Sequence, residues 1–146
     1  MSTVSEGFYF EDLTVGMSAS IERTITTDDI EMFATAVGDF NPIHMNEEWA
    51  RQTRFGGRIA HGMLTAGIVS SVLGTRLPGP GNVYIKQTLE FRAPVTPRSA
   101  VKAQVCITRL EPERNRVYLD TTCTCCGTIV LSGEAVLFVQ SRQRRL

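Results

Sequence analysis

The sequence predicts an α+β domain in which a curved antiparallel β-sheet wraps around a long central α-helix. Three observations point there. Between Arg58 and Arg76 no residue carries a formal charge apart from a protonatable His61, and a helix without a charged face is covered on nearly every side. From Val83 onward apolar and polar residues alternate with period two, the signature of strands. A sheet with one apolar face needs a cover, and the uncharged helix supplies it. A single domain, 1–146, accommodates the whole 146-residue chain.

The elements follow in order. Phe8 to Gly16 reads as an irregular lead-in and Met17 to Ile25 as a first strand. Thr26-Thr27-Asp28-Asp29 starts a helix, a hydroxyl followed three residues later by an acid. Ile30, Phe33, Ala34 and Val37 give it an apolar face, and Gly38 ends it by taking left-handed angles. Gly38 to His44 reads as a fixed loop rather than a helix, because Pro42 has no N–H and drives Asn41 from helical angles. Asn46 caps a short helix, Glu47 to Thr53, and a glycine-bearing loop leads to the uncharged segment Ile59 to Thr75.

Leu77-Pro78-Gly79-Pro80-Gly81 breaks that helix. Val83, Ile85, Leu89 and Phe91 then share one face of a strand, with Gln87 intruding as a paired amide. Val101, Ala103, Val105 and Ile107 alternate along the next strand, before a charged turn at Glu111 to Asn115. Val117 to Cys125 and Thr128 to Val139 form a hairpin across Cys126-Gly127. The basic tail, Ser141 to Leu146, reads as a frayed, solvated end.

Bulk properties exclude several classes. Hydrophobic residues make up 42% and charged residues 21%, with zero formal net charge, so neither nucleic acid nor an acidic membrane is an expected partner. No apolar run is long enough to span a bilayer, and Met1 to Glu11 lacks the pattern of a signal peptide. A cytoplasmic location is expected. Cys106, Cys123, Cys125 and Cys126 lack zinc-site spacing and read as small strand residues in a reducing compartment.

The chemistry concentrates in Gly38-Asp39-Phe40-Asn41-Pro42-Ile43-His44. An Asp and a His presented from one stiffened backbone suit either acid–base chemistry or the polar positions of a turn. This segment, with Ala50 following after five intervening residues, resembles the MaoC-like (R)-specific enoyl-CoA hydratases. So do Ile59-Ala60-His61-Gly62-Met63-Leu64-Thr65 and the N-terminal Phe10-Glu11-Asp12-Leu13 with Val15-Gly16. Val37 departs from the pattern, which favours a small or hydroxyl residue there.

The resemblance implies the hotdog fold and reversible hydration of a trans-2-enoyl thioester to the (R)-3-hydroxyacyl thioester. It implies that Asp39 and His44 share one water, with the assignment of acid and base left open by their coupled titration. Gly62, at a helix N-terminus, is implied as the donor to the developing enolate oxygen. Asn41 is implied to orient the loop or the water, and Ser70 to steady the site from two turns along the helix. His61 is left as a structural residue, and Arg54, Arg58, Lys86 and Arg92 as solvated charges rather than ligands of CoA phosphates. No metal and no cofactor are expected. The partners implied are an acyl-CoA thioester as substrate and a second copy of the chain, since family members place the active site between two hotdogs.

Two other functions compete. A 3-hydroxyacyl-acyl-carrier-protein dehydratase would run the same transition state in reverse, and a non-catalytic acyl-CoA-binding hotdog would not need the Asp39/His44 pair. A hotdog thioesterase fits less well, because Gly62 to Thr75 contains no carboxylate.

Overall fold

A computed structural model describes residues 6–142 of the chain. The first residues read for a signal peptide, and 143–146 of the basic tail, lie outside the described residues. Strand β1 (Ser18–Thr24) is followed by helices α1 (Thr27–Val37), α2 (Pro42–Met45), α3 (Glu47–Arg51) and α4 (Gly62–Thr75). Strands β2 (Val83–Gln87), β3 (Glu90–Phe91), β4 (Ala100–Glu111), β5 (Arg116–Cys125) and β6 (Thr128–Phe138) complete the chain. All pair antiparallel in one sheet of order β1-β4-β5-β6-β2, with β3 also pairing with β6.

The core lies between this sheet and α4. Thr65, Ile68, Val69, Val72 and Leu73 form the buried face of α4. They meet a sheet face that includes Val101, Ala103, Val105, Ile107, Val117 and Leu119, all at most 1% exposed. Each fully buried side chain of this kind contributes about 1.5–3 kcal/mol before entropy is counted. The alternation along β4 and β5 places every second residue inward, as the sequence predicts. At the β5–β6 tip Cys126 and Gly127 have φ of 54° and 77°, so two successive left-handed residues close the hairpin. All four cysteines are free thiols, Cys123 and Cys125 buried.

Several local expectations are corrected. The segment read as a loop contains α2, one turn of helix starting at Pro42. Proline is barred from a helix interior but suits its first position, where the N–H has no intrahelical acceptor. Asn41 keeps the extended-type angles (φ −53°, ψ 126°) that a residue before proline prefers. The central helix begins at Gly62, not Ile59. Ile59 and Ala60 run extended, held by N–H bonds to the carbonyls of Ile43 and Val95.

Nor is α4 covered all round: Met63, Gly67, Ser70, Ser71 and Gly74 are exposed along one side. Val37, expected on the apolar face of α1, is exposed as well. The strand read as continuous from Val83 is interrupted by a register shift between Tyr84 and Lys86 and splits into β2 and β3. Val83, Ile85 and Phe91 are consequently exposed. Gln87 is paired as expected, its amide nitrogen donating to the Thr121 hydroxyl at 2.9 Å. Ser141 and Arg142 are not frayed. Arg142 forks onto Asp12 (2.7 and 2.9 Å) and its N–H donates to Glu11, tying this residue to the lead-in.

Candidate active site

The site begins where α1 ends. Thr26 and Asp29 form the expected capping box at its start. At its end the Gly38 N–H donates to the Ala34 carbonyl at 2.8 Å, and the glycine's φ of 82° turns the chain into Asp39. Two side-chain caps then follow in series. The Asp39 carboxylate accepts the Asn41 N–H and the Asn41 side-chain amide oxygen Oδ1 accepts the Ile43 N–H, each at 3.2 Å. These bonds hold α2 in place and with it His44, its third residue.

His44 is oriented through its inner ring nitrogen. Nδ1 lies 2.8 Å from the Ile59 carbonyl oxygen. A carbonyl only accepts, so the proton sits on Nδ1 and Nε2 keeps its lone pair. Burial holds the His44 pKa below the ordinary value of 6.5. The bond to Ile59 and the Asp39 charge oppose this, while His61 and Arg58 add to it. Neutral His44 is therefore the dominant form at pH 7. The Arg58 guanidinium Nε–H donates to the His44 backbone carbonyl from the other side. Arg58 is thus a brace for the site, not the solvated charge expected.

His61 comes from a different part of the chain. Its ring lies 4.0 Å from that of His44, centroid to centroid, and its Nε2–H donates to the Asp39 carbonyl oxygen at 3.0 Å. Ligand-type atoms of Asp39, His44 and His61 all lie within 4.8 Å of one another. Groups this close can hydrogen-bond a single water between them, since two partners at about 2.8 Å from one water need stand no more than about 5.6 Å apart.

A cavity of about 400 Å³ opens beside His44, lined also by Gly62, Thr65, Phe91, Val130 and Leu131. At its wall α4 begins. The N–H groups of Gly62 and Met63 precede the intrahelical ladder, and the His61 side chain caps neither. A Cβ on Gly62 would come within 2.6 Å of the Phe91 ring, so the glycine leaves room that no other residue would. An oxygen carrying negative charge suits this terminus, which offers open donors and the positive end of a dipole.

Of the residues expected at the site, Asp39 and His44 stand together and Gly62 shares the cavity with His44. Asn41 serves as the cap of α2. Ser70 lies exposed on the open side of α4, outside the cavity lining. Sequence reasoning missed the reach of His61 to Asp39, Arg58 behind His44, and Phe91 over Gly62. Only the adjacency of His61 and Gly62 hinted at the first; contacts across 14 to 29 positions leave no local pattern.

One uncharged helix lying in a wrapped antiparallel sheet, with Asp39 and His44 close to the helix's N-terminus, defines a hotdog-fold protein of the thioester-hydrating type. The chain belongs to the MaoC like domain family, which matches residues 13–124. It is 52% identical over 134 residues to an (R)-specific enoyl-CoA hydratase of Rhodospirillum rubrum, covering 92% of this chain and 93% of that one. It is 50% identical over 135 residues to a 3-hydroxybutyryl-CoA dehydratase of Methylorubrum extorquens, covering 92% and 86%. Among solved structures it resembles the unliganded R-hydratase of Pseudomonas aeruginosa, with a TM-score of 0.88, 35% identity, and coverage of 93% and 88%.

Proposed function

We propose that this protein hydrates trans-2-enoyl-CoA to (R)-3-hydroxyacyl-CoA, reversibly, through Asp39, His44 and the N-terminus of α4. The observation that carries the reading is His44, its Nδ1–H fixed on Ile59, set beside the open helix terminus at Gly62 in one cavity. In the hydration direction the His44 Nε2 lone pair takes a proton from the water as its oxygen bonds to C3. The π electrons of the enoyl group move onto the thioester oxygen, and the Gly62 N–H receives that charge. The His44 imidazolium then returns the proton to C2 as the carbonyl re-forms, so water adds across the double bond and His44 ends neutral. The Asp39 carboxylate accepts the water's other hydrogen and steadies the imidazolium between the two steps.

Both sequence relatives carry CoA in their names, which favours CoA over a carrier protein as the handle. The reading also includes a homodimer, supported by the exposed apolar edge at β2, and a cytoplasmic location, supported by four unpaired thiols. Among the described residues no helix is long and apolar enough to cross a membrane.

The test is a hydration assay that follows loss of the enoyl thioester's ultraviolet absorbance, with chiral analysis of the product. His44→Ala and Asp39→Asn should each lower kcat on the order of a hundredfold to ten-thousandfold. Full activity in either variant, or an (S) product, sinks the assignment. Turnover of crotonyl-CoA against crotonyl carrier protein separates the CoA reading from the carrier-protein dehydratase.

A further inference from the structure

We propose that His61 is a positioning residue that holds the water-handling loop and the oxyanion-holding helix terminus in register. The inference rests on the reading of Asp39 and His44 as the water-handling pair. The two halves of the site are distant in sequence and sit on separate elements. His61 is the N-cap residue of α4, one position before the Gly62 donor, and its Nε2–H bonds the backbone carbonyl of Asp39, 22 residues earlier. One side chain thus ties both halves together.

The alternative is a histidine that merely caps or packs its own helix. The side chain of a capping histidine would accept an N–H of the first turn, and the His61 side chain accepts none. Its Nδ1 is instead buried without a hydrogen-bond partner in a residue only 2% exposed. Unpaired buried nitrogens are rare in folded proteins and costly to keep. A phenylalanine would fill the place without that cost, so the nitrogen that does bond, Nε2, has a use that outweighs it. The ring is clamped between Phe33 at 4.8 Å and His44 at 4.0 Å, centroid to centroid, so it also fixes one face of the His44 imidazole. The titratable and charged groups facing His44 are Asp39 from the same loop, Arg58 from the segment before α4, and His61 at the cap of α4.

Two variants test this. His61→Phe keeps the ring and volume but removes the donor to Asp39. His61→Gln keeps a side-chain N–H near the Nε2 position but removes the ring from His44. His61→Phe should lower kcat about tenfold or more, with KM changed less than about threefold, because the acyl cavity is untouched and only the alignment of water and oxyanion donor is lost. His61→Gln should recover kcat to within about threefold of the parent, while the His44 titration followed by nuclear magnetic resonance moves upward. Parent-like kcat in a folded His61→Phe variant overturns the proposal. So does a folded His61→Gln variant whose kcat falls about tenfold or more below the parent, an outcome that decides the matter alone if His61→Phe does not fold. His44→Ala, assayed in parallel, keeps the two readings apart. If it retains activity the assignment of the pair fails, whereas an inactive His44→Ala beside a fully active His61→Phe removes only the role of His61.

Discussion

In the proposed reading the absent side chain of Gly62 is what admits the thioester oxygen to the helix terminus. A methyl group there would lie 2.6 and 2.7 Å from two carbons of the Phe91 ring. Phe91 is 51% exposed and its ring can swing aside, so Gly62→Ala should leave the melting temperature nearly unchanged. The same methyl would stand where the thioester oxygen approaches the helix terminus, and kcat should fall on the order of a hundredfold. Unchanged turnover in a Gly62→Ala hydration assay would move the oxyanion donor elsewhere. His44 gives the pH counterpart. With its pKa held below 6.5 by burial, the base stays unprotonated at neutrality and is lost only as pH falls. The acid limb of the kcat/KM profile should therefore have its midpoint below 6.5, and it should move when His44 is replaced. That Asp39, His44 and Gly62 lie near one another could be anticipated because they sit in short local motifs. The bonds of His61 to Asp39 and of Arg58 to His44 could not, because folding alone makes them neighbours.

Among the elements, α2 shows why local rules misled. Proline was read as excluding a helix, yet its missing N–H costs nothing at the first helical position. A one-turn helix cannot persist on its own bonds, since nucleation fixes several residues for a single hydrogen bond. It is held here by the Asn41 cap, by the Asp39 carboxylate on the Asn41 N–H, and by the Ile59 N–H on the Ile43 carbonyl. Asn41→Ala should accordingly cost about 1 kcal/mol in chemical denaturation, with a larger relative loss in kcat as His44 loses its mounting. An Asn41→Ala variant with parent kcat would limit Asn41 to stability. The strands after α4 were read in the right order, but the register shift in β2 was not foreseen. A bulge reflects pairing with β6 across some fifty residues, and alternation within one strand does not encode it.

The whole molecule leaves two surfaces that a lone hydratase would pay to expose. Among the described residues strand β2 closes one end of the sheet order with no neighbour on its outer edge, and Val83, Tyr84 and Ile85 on it are 57%, 39% and 42% exposed. The α4 side carrying Met63, Gly67, Ser70 and Ser71 holds no charged residue and is exposed, and Met63 and Phe91 stand half in solvent at the cavity. The near-absence of charge from Ile59 to Thr75, read from the sequence as burial inside one domain, is half explained by the sheet. The other half fits a second copy. A dimer joined through β2 would satisfy the edge's backbone groups, cover the apolar row and close the cavity against water. Light scattering should give twice the 16.1 kDa chain mass. Ile85→Lys should shift the population to monomer, since a charge at a paired edge must be desolvated. Activity should fall with the dimer and return as protein concentration rises, by mass action. A parent protein that is monomeric at assay concentration and fully active would show that one chain closes its own site.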